Sequence, residues 1–147
     1  MAYYKLESYK AIGLLLGSKL GHSQKECPVS LADWYIPIPS HKLRYKNRGF
    51  DHVSHLFEGP FKQWGIQSSV IICRHRGTRP LFGLTRAERR SQLRDVFSVL
   101  DEEKIKNRHI CLYDDIVTTG ATLDEVGRLL YMKGAYCVEA MTLCYVK

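Results

Sequence analysis

Two adjacent carboxylates followed by a run of small and hydroxyl-bearing residues stand out in the last third of this 147-residue chain. The acids are Asp114 and Asp115, and the run, called the threonine loop below, is Thr118-Thr119-Gly120-Ala121-Thr122. Carboxylates accept hydrogen bonds from hydroxyl groups, whereas a small-residue loop lets backbone N–H groups approach an anion closely. The string therefore predicts a site for a phosphorylated sugar. The alternative for any one of these residues is a simple helix cap.

The flanking segments predict the elements that position this string. The apolar run 109–113 predicts a short strand that ends at the acids. Leu123, Val126 and Leu130 give the following helix one apolar face, and Gly134 marks its end. The N-terminus of a helix carries unpaired N–H groups and a positive partial charge. We therefore expect the threonine loop and the helix start together to bind phosphate.

The rest of the chain predicts an α/β fold, with a mostly parallel sheet flanked by helices and a ligand crevice at the carboxyl ends of the strands. A helix is expected over 50–64, kinked or divided at Gly59-Pro60, and another from Arg86, where Thr85 and Glu88 form a capping box. Residues 1–147 are interpreted as one domain, with 1–33 the least certain part. Further strands are predicted at Trp34–Pro39, Ser69–Cys73, Phe97–Leu100 and Tyr136–Val146.

Two basic segments follow predicted strands. Residues 42–48 contain four Lys or Arg residues and no acid, and residues 74–94 contain seven arginines and one acid, Glu88. A run of charge is usually a solvated face, but its position after a strand favours contact with an anion. Gly77 and Gly83 bracket a segment that we expect to act as a flexible flap. The net charge of +7 also favours anionic partners.

The string from Asp114 to Thr122 resembles the phosphoribosyl diphosphate (PRPP) signature of type I phosphoribosyltransferases. Together with Pro37-Ile38-Pro39, the Arg48-Gly49-Phe50 tripeptide and the arginine-rich string 74–93, it makes the chain from Trp34 onward similar to the ComF/GntX branch of that superfamily. The ComF pattern usually has Gln where this chain has Leu81, and Asn where it has Gln92. The resemblance therefore leaves the acceptor of the phosphoribosyl group open.

The resemblance implies a role for each part of the site. Asp114 and Asp115 would bind the ribose hydroxyls and offset positive charge, and the threonine loop would hold the 5′-phosphate. The arginine-rich string 74–93 would form a flexible loop that closes over the diphosphate. Mg²⁺ would arrive with the substrate rather than be held by the protein alone. The residues implied for phosphate and diphosphate are Thr118, Thr119, Gly120, Ala121, Thr122, Ser40, Arg48, Arg74, Arg76 and Arg79.

Three functions remain open from the sequence. The first is an enzyme that transfers phosphoribosyl from PRPP and releases pyrophosphate. The second is a non-catalytic ComF-type competence protein that binds single-stranded DNA during DNA uptake, with Tyr45 or Phe82 stacking on bases. The third is a nucleotide-sensing regulator. Competence proteins are expected as partners in the second case, and a homodimer is an open alternative to a monomer.

The cysteines indicate a reducing, cytoplasmic setting. There are five, none in a Cys-x-x-Cys pair, and Cys73, Cys111, Cys137 and Cys144 lie in apolar runs typical of buried thiols. Longer ComF-type proteins carry an N-terminal zinc-binding cysteine cluster that this chain lacks, so we expect no structural zinc. The apolar stretch 12–16 is too short to span a membrane.

Overall fold

Three parallel strands carry the predicted site. In the computed structural model, which describes residues 32–40, 49–78, 83–117 and 119–145, they are β1 (Trp34–Pro37), β4 (His109–Val117) and β5 (Cys137–Tyr145). Their order is β1-β4-β5, so β4 is the central strand. On the other side of β1, Ser68 pairs in parallel with Tyr35. The predictions for residues 1–31, Arg48, Arg79, Leu81 and Thr118 lie outside the described residues.

Two short strands and three helices complete the described part of the chain. Strands β2 (Ile72–Arg74) and β3 (Phe97–Val99) form a separate antiparallel pair. The helices are α1 (His52–Trp64), α2 (Arg86–Leu93) and α3 (Ala121–Met132). The predicted elements are therefore present, although β4 runs through both acids to Val117 instead of ending at them as predicted. The α/β fold class with a parallel sheet flanked by helices is confirmed.

Alternation along β4 divides the core into two parts. Ile110 and Leu112 pack with α3, β2 and β3, whereas Cys111 and Tyr113 pack with the aromatic face of α1. Successive side chains of a strand point to opposite faces of a sheet, so Ile110 and Leu112 face one part of the core and Cys111 and Tyr113 face the other. The same alternation decides which way the acids at the end of β4 face.

Three predictions about elements need correction. Helix α1 is one continuous helix with Pro60 inside it. Of the two alternatives predicted at Gly59-Pro60, a kink or a division into two helices, the division is therefore wrong. The run 69–73 is not one buried strand, because only Ile72 onward belongs to β2 and 68% of Val70 is exposed. Of the cysteines, Cys111 is buried as predicted, but Cys73 and Cys137 are only half-buried. Within the described residues, no helix combines the length and apolar character needed to cross a membrane.

Candidate functional site

The two acids lie near the carboxyl end of β4 and face different neighbours. Asp114 lines a small cavity on the α3 side of the sheet, and Asp115 points to the N-terminus of α1. Each also accepts a backbone hydrogen bond from the next residue, Asp114 from the amide of Asp115 at 2.9 Å and Asp115 from that of Ile116 at 2.7 Å. These bonds fix both carboxylates, and each still has lone pairs for a ligand hydroxyl.

His52 holds Asp115 from the first turn of α1. Its Nε2 lies 2.9 Å from Oδ2 of Asp115, and its Nδ1 lies 3.4 Å from Oγ of Ser40, just beyond β1. The helix begins there because Asp51 caps it, accepting from the backbone amide and the hydroxyl of Ser54. The structure thus links Ser40, His52 and Asp115 in one chain of contacts.

Their surroundings drive the pKa values of the two acids apart. Burial, together with the hydrogen bonding and negative charge of Asp115, raises the pKa of Asp114 to about 7. Burial also disfavours charge on Asp115, but the hydrogen bond and charge of His52 and the amide of Ile116 outweigh it and lower that pKa to about 2. Near neutral pH the pair therefore has one firmly ionised acid and one that exchanges a proton readily.

The threonine loop ends at an uncapped helix start. Gly120 has φ +71°, which glycine adopts without strain, and it is the N-cap residue of α3. It gives the first turn no side-chain cap, so the N–H groups there stay available to an anion. Thr119, Gly120, Ala121 and Thr122 line the small cavity with Asp114, and its volume is about 70 Å³. The structure thus brings the described part of the loop and one acid together, as predicted.

Arg89 closes the same cavity from α2. Its Nη1 donates to Oγ1 of Thr119 at 3.3 Å, and its Nε donates to the carbonyl of Leu84 at 3.0 Å. Helix α2 begins with the predicted capping box, in which Thr85 and Glu88 exchange hydrogen bonds of 2.7 and 3.3 Å. The hydroxyl of Thr85 and, second, its backbone amide donate to the carboxylate of Glu88 and lower its pKa. Arg89 therefore adds a positive charge beside the uncapped helix start.

The predicted diphosphate residues are only partly assembled. Ser40 and Arg74 line one cavity of about 270 Å³. Pro37 at the carboxyl end of β1 and Ile72 at the amino end of β2 also line it. Arg74 donates to Oγ1 of Thr78 at 2.6 Å and lies over the ring of Phe97. Arg76 instead donates to the carbonyl of Arg94 and does not line this cavity.

Sequence reasoning missed two residues of this site. The sequence does not single out His52, because its contact with Asp115 spans 63 positions and no local spacing indicates it. Arg89 was counted within the arginine-rich segment but not singled out. Its position one turn after the capping box was the available signal, since a fixed helix start also fixes the face on which Arg89 lies.

A larger cavity lies elsewhere and does not contain the acids. Its volume is about 650 Å³, and residues of α1 such as His55, Glu58 and Lys62 line it together with Phe50. Neither Asp114 nor the described part of the threonine loop, residues 119–122, contributes to it. This larger cavity is therefore separate from the small cavity that Asp114 lines.

Comparison with known proteins identifies the family of the chain. The phosphoribosyl transferase domain family matches residues 65–147. The DNA utilization protein YhgH of Escherichia coli O157:H7 is 32% identical over 140 residues, which are 94% of this chain and 60% of that protein. Competence protein F of Haemophilus influenzae is 27% identical over 136 residues, 91% of this chain and 59% of that protein. The chain thus spans about 60% of the length of these relatives.

Solved structures share the fold at low sequence identity. The glutamine PRPP amidotransferase of B. subtilis is 18% identical with a TM-score of 0.55, over 94% of this chain and 26% of that one. The hypoxanthine phosphoribosyltransferase of Trypanosoma cruzi is 11% identical with a TM-score of 0.51, over 96% of this chain and 78% of that one. By its domain match, its relatives and its fold, the chain belongs to the phosphoribosyltransferase domain family and is a ComF-type member of the type I superfamily.

Proposed function

We propose that this chain binds PRPP and transfers its phosphoribosyl group to an acceptor, with release of pyrophosphate. One observation supports the proposal most directly: Asp114, the described part of the threonine loop and Arg89 share one cavity at the uncapped start of α3. A carboxylate for sugar hydroxyls beside amides and a guanidinium for phosphate is the combination that a ribose 5-phosphate group needs.

Each group has a distinct task in this mechanism. The amides of the first turn of α3 and Arg89 hold the 5′-phosphate, and Asp114 and Asp115 accept hydrogen bonds from the ribose hydroxyls. As the bond between C1 and the diphosphate breaks, positive charge develops on the ribose ring, and the ionised Asp115 stabilises it. Mg²⁺ enters as part of the substrate, since it prefers phosphate oxygens and retains much of its water.

The cavity beside Ser40 and Arg74 suits the diphosphate end of the substrate. It lies at the carboxyl end of β1 and along β2. Ser40 contacts His52, which in turn contacts Asp115. A diphosphate placed there would have a hydroxyl and a guanidinium as donors. This arrangement supports Ser40 and Arg74 as diphosphate residues ahead of Arg76.

Titration with PRPP and Mg²⁺ tests the proposal. We expect a dissociation constant on the order of micromolar, as is common for metabolite sites. Replacing Arg89 by Gln removes one charged hydrogen-bond donor from the phosphate and should weaken binding by about tenfold. Arg128→Gln is the matched control, because Arg128 is an exposed arginine of α3 that pairs with Glu125 at 2.6 Å. Failure to bind PRPP at millimolar concentration would refute the proposal.

Release of pyrophosphate separates the enzyme from a sensor. Wild-type protein that binds PRPP should release pyrophosphate when bases or amines are supplied as acceptors. Binding without release under any acceptor would instead favour a nucleotide-sensing regulator built on the same site. The free cysteines suit a reducing cytoplasm as the place of either activity.

Binding of single-stranded DNA is a second candidate function. It is favoured by the names of the relatives, a DNA utilization protein and a competence protein, and by the net charge of +7. Exposed cations such as Arg76 and Arg94 would then contact phosphates of the DNA backbone. Affinity for an oligonucleotide should fall steeply as salt rises, because phosphate contacts release counterions. A response that is flat with salt would reject this function.

A further inference from the structure

Three potential metal ligands meet at the opposite end of the sheet from the acids. They are His109 at the start of β4 and Cys137 and Glu139 at the start of β5. One nitrogen, one sulfur and one oxygen atom, each from a different residue of the three, all lie within 4.8 Å of one another. No step of the proposed function uses any of these residues.

The register of the parallel sheet creates this cluster. His109 and Cys137 are partners in the β4–β5 ladder, and Glu139 follows two positions along β5. Residues two apart on a strand share a face, so all three side chains lie on the α1 side of the sheet. Because two hydrogen-bonded strands hold them, the ligands are positioned by rigid backbone rather than by loops.

The Nε2 atom of His109 supplies an independent observation. It is buried, and although it lies 3.2 Å from Oε1 of Glu139, it makes no hydrogen bond there. A buried ring nitrogen without a hydrogen-bond partner is costly, and a bound cation would satisfy it together with the carboxylate. The two atoms are 3.2 Å apart, close to the separation of about 3.4 Å between adjacent nitrogen and oxygen ligands of a tetrahedral ion.

We propose that His109, Cys137 and Glu139 form a binding site for a borderline divalent cation of the Zn²⁺ class. A mixed set of imidazole, thiolate and carboxylate suits Zn²⁺ and disfavours Mg²⁺ or Ca²⁺, which take oxygen ligands. Three protein ligands leave a fourth position for water. Glu139 has 43% of its side chain exposed, compared with 23% for His109, so the ion can enter from its side.

This site departs from the expectation of no structural zinc. That expectation rested on the absence of the N-terminal zinc-binding cysteine cluster of longer ComF-type proteins. A motif of that kind detects ligands that lie close together in sequence. His109 and Cys137 come from different strands separated by the whole of α3, and only strand pairing brings them together. The bound ion would join the amino ends of β4 and β5.

Metal titration of the purified full chain tests the site. After treatment with a chelator, the protein should bind one Zn²⁺ per chain. With Co²⁺ in place of Zn²⁺, the ultraviolet thiolate-to-cobalt charge-transfer band should be present in wild type and lost in Cys137→Ser. His109→Ala and Cys137→Ser should each lower the Zn²⁺ affinity by about tenfold or more.

Two further variants distinguish a metal site from a structural ion pair. Cys73→Ser is the matched control, because Cys73 is a half-buried thiol whose Sγ contacts Ser98 on the other sheet, and it should bind Zn²⁺ as wild type does. Glu139→Gln keeps the side-chain shape and should lower the affinity while the metal-free melting temperature is unchanged. Zn²⁺ binding well below one per chain, or wild-type affinity in both His109→Ala and Cys137→Ser, would overturn the proposal.

Discussion

Replacing Asp114 and Asp115 together by asparagine is expected to abolish PRPP binding and all pyrophosphate release. Asparagine has nearly the same shape, so the fold should survive, but both anionic acceptors of ribose hydroxyls are lost. Each hydrogen bond to a charged group contributes roughly 1.5–3 kcal/mol, so loss of two predicts an affinity at least about a hundredfold weaker. Calorimetric titration with PRPP and Mg²⁺ measures the effect.

A surface control and one single variant test whether the loss of binding is specific to the two acids. Asp101→Asn is the control, because Asp101 forms an exposed ion pair with Lys104 and should leave PRPP affinity unchanged. If the double variant still binds PRPP like wild type, the assignment of the site is wrong. Asp114→Asn alone should depend on pH: near wild type at pH 6, where Asp114 already holds a proton, and weaker at pH 8, where the wild-type residue is ionised.

The raised pKa of Asp114 also makes the free energy of unfolding depend on pH. Asp114 has its folded pKa raised from 3.8 to about 7, so the folded state binds this proton more tightly than the unfolded chain does. The contribution to the free energy of unfolding is therefore present at low pH and is lost as pH rises from about 4 to 7. Asp114→Asn removes the buried charge and should make the protein more stable than wild type at pH 8.

Local patterns in the sequence predicted the local parts of this site. The string from His109 to Thr122 becomes a strand, a loop and a helix, and the capping box of Thr85 and Glu88 starts α2 at Arg86 as expected. Each of these depends on neighbours within a few residues, where residue type and spacing set the backbone conformation directly. The PRPP-like string therefore located the start of α3 correctly, whereas β4 continues four residues beyond the predicted strand, to Val117.

Contacts between distant segments could not be predicted in the same way. His52 meets Asp115 because α1 packs its aromatic face on Tyr113, and Arg89 meets Thr119 because α2 lies against α3. Both contacts follow from how elements pack, and no spacing in the sequence encodes them. Pro60 illustrates the same limit, since tertiary packing keeps a continuous helix where the local rule predicts a break.

His52 is expected to act as a positioning residue for Asp115, and its replacement by alanine should weaken PRPP binding by about tenfold. The hydrogen bond of 2.9 Å from the ring and the charge of His52 are the largest of the effects that lower the pKa of Asp115 to about 2 against the effect of burial. Without His52 the pKa of Asp115 rises, and the proton of the acid pair is shared between two similar sites. As the pH is lowered, the His52→Ala variant should therefore lose PRPP binding at a higher pH than wild type does.

Two variants separate this role from a general loss of structure. His52→Gln retains a neutral N–H donor that can reach Asp115, so it should recover much of the affinity but less of the pH profile, to which the histidine charge contributes. His55→Ala removes the other histidine of α1, which pairs with Glu58 at 3.4 Å instead of with the acids, and should leave both affinity and pH profile unchanged. An unaltered pH profile in His52→Ala would contradict the role, because the contact with Asp115 would then have no influence on when that acid is ionised.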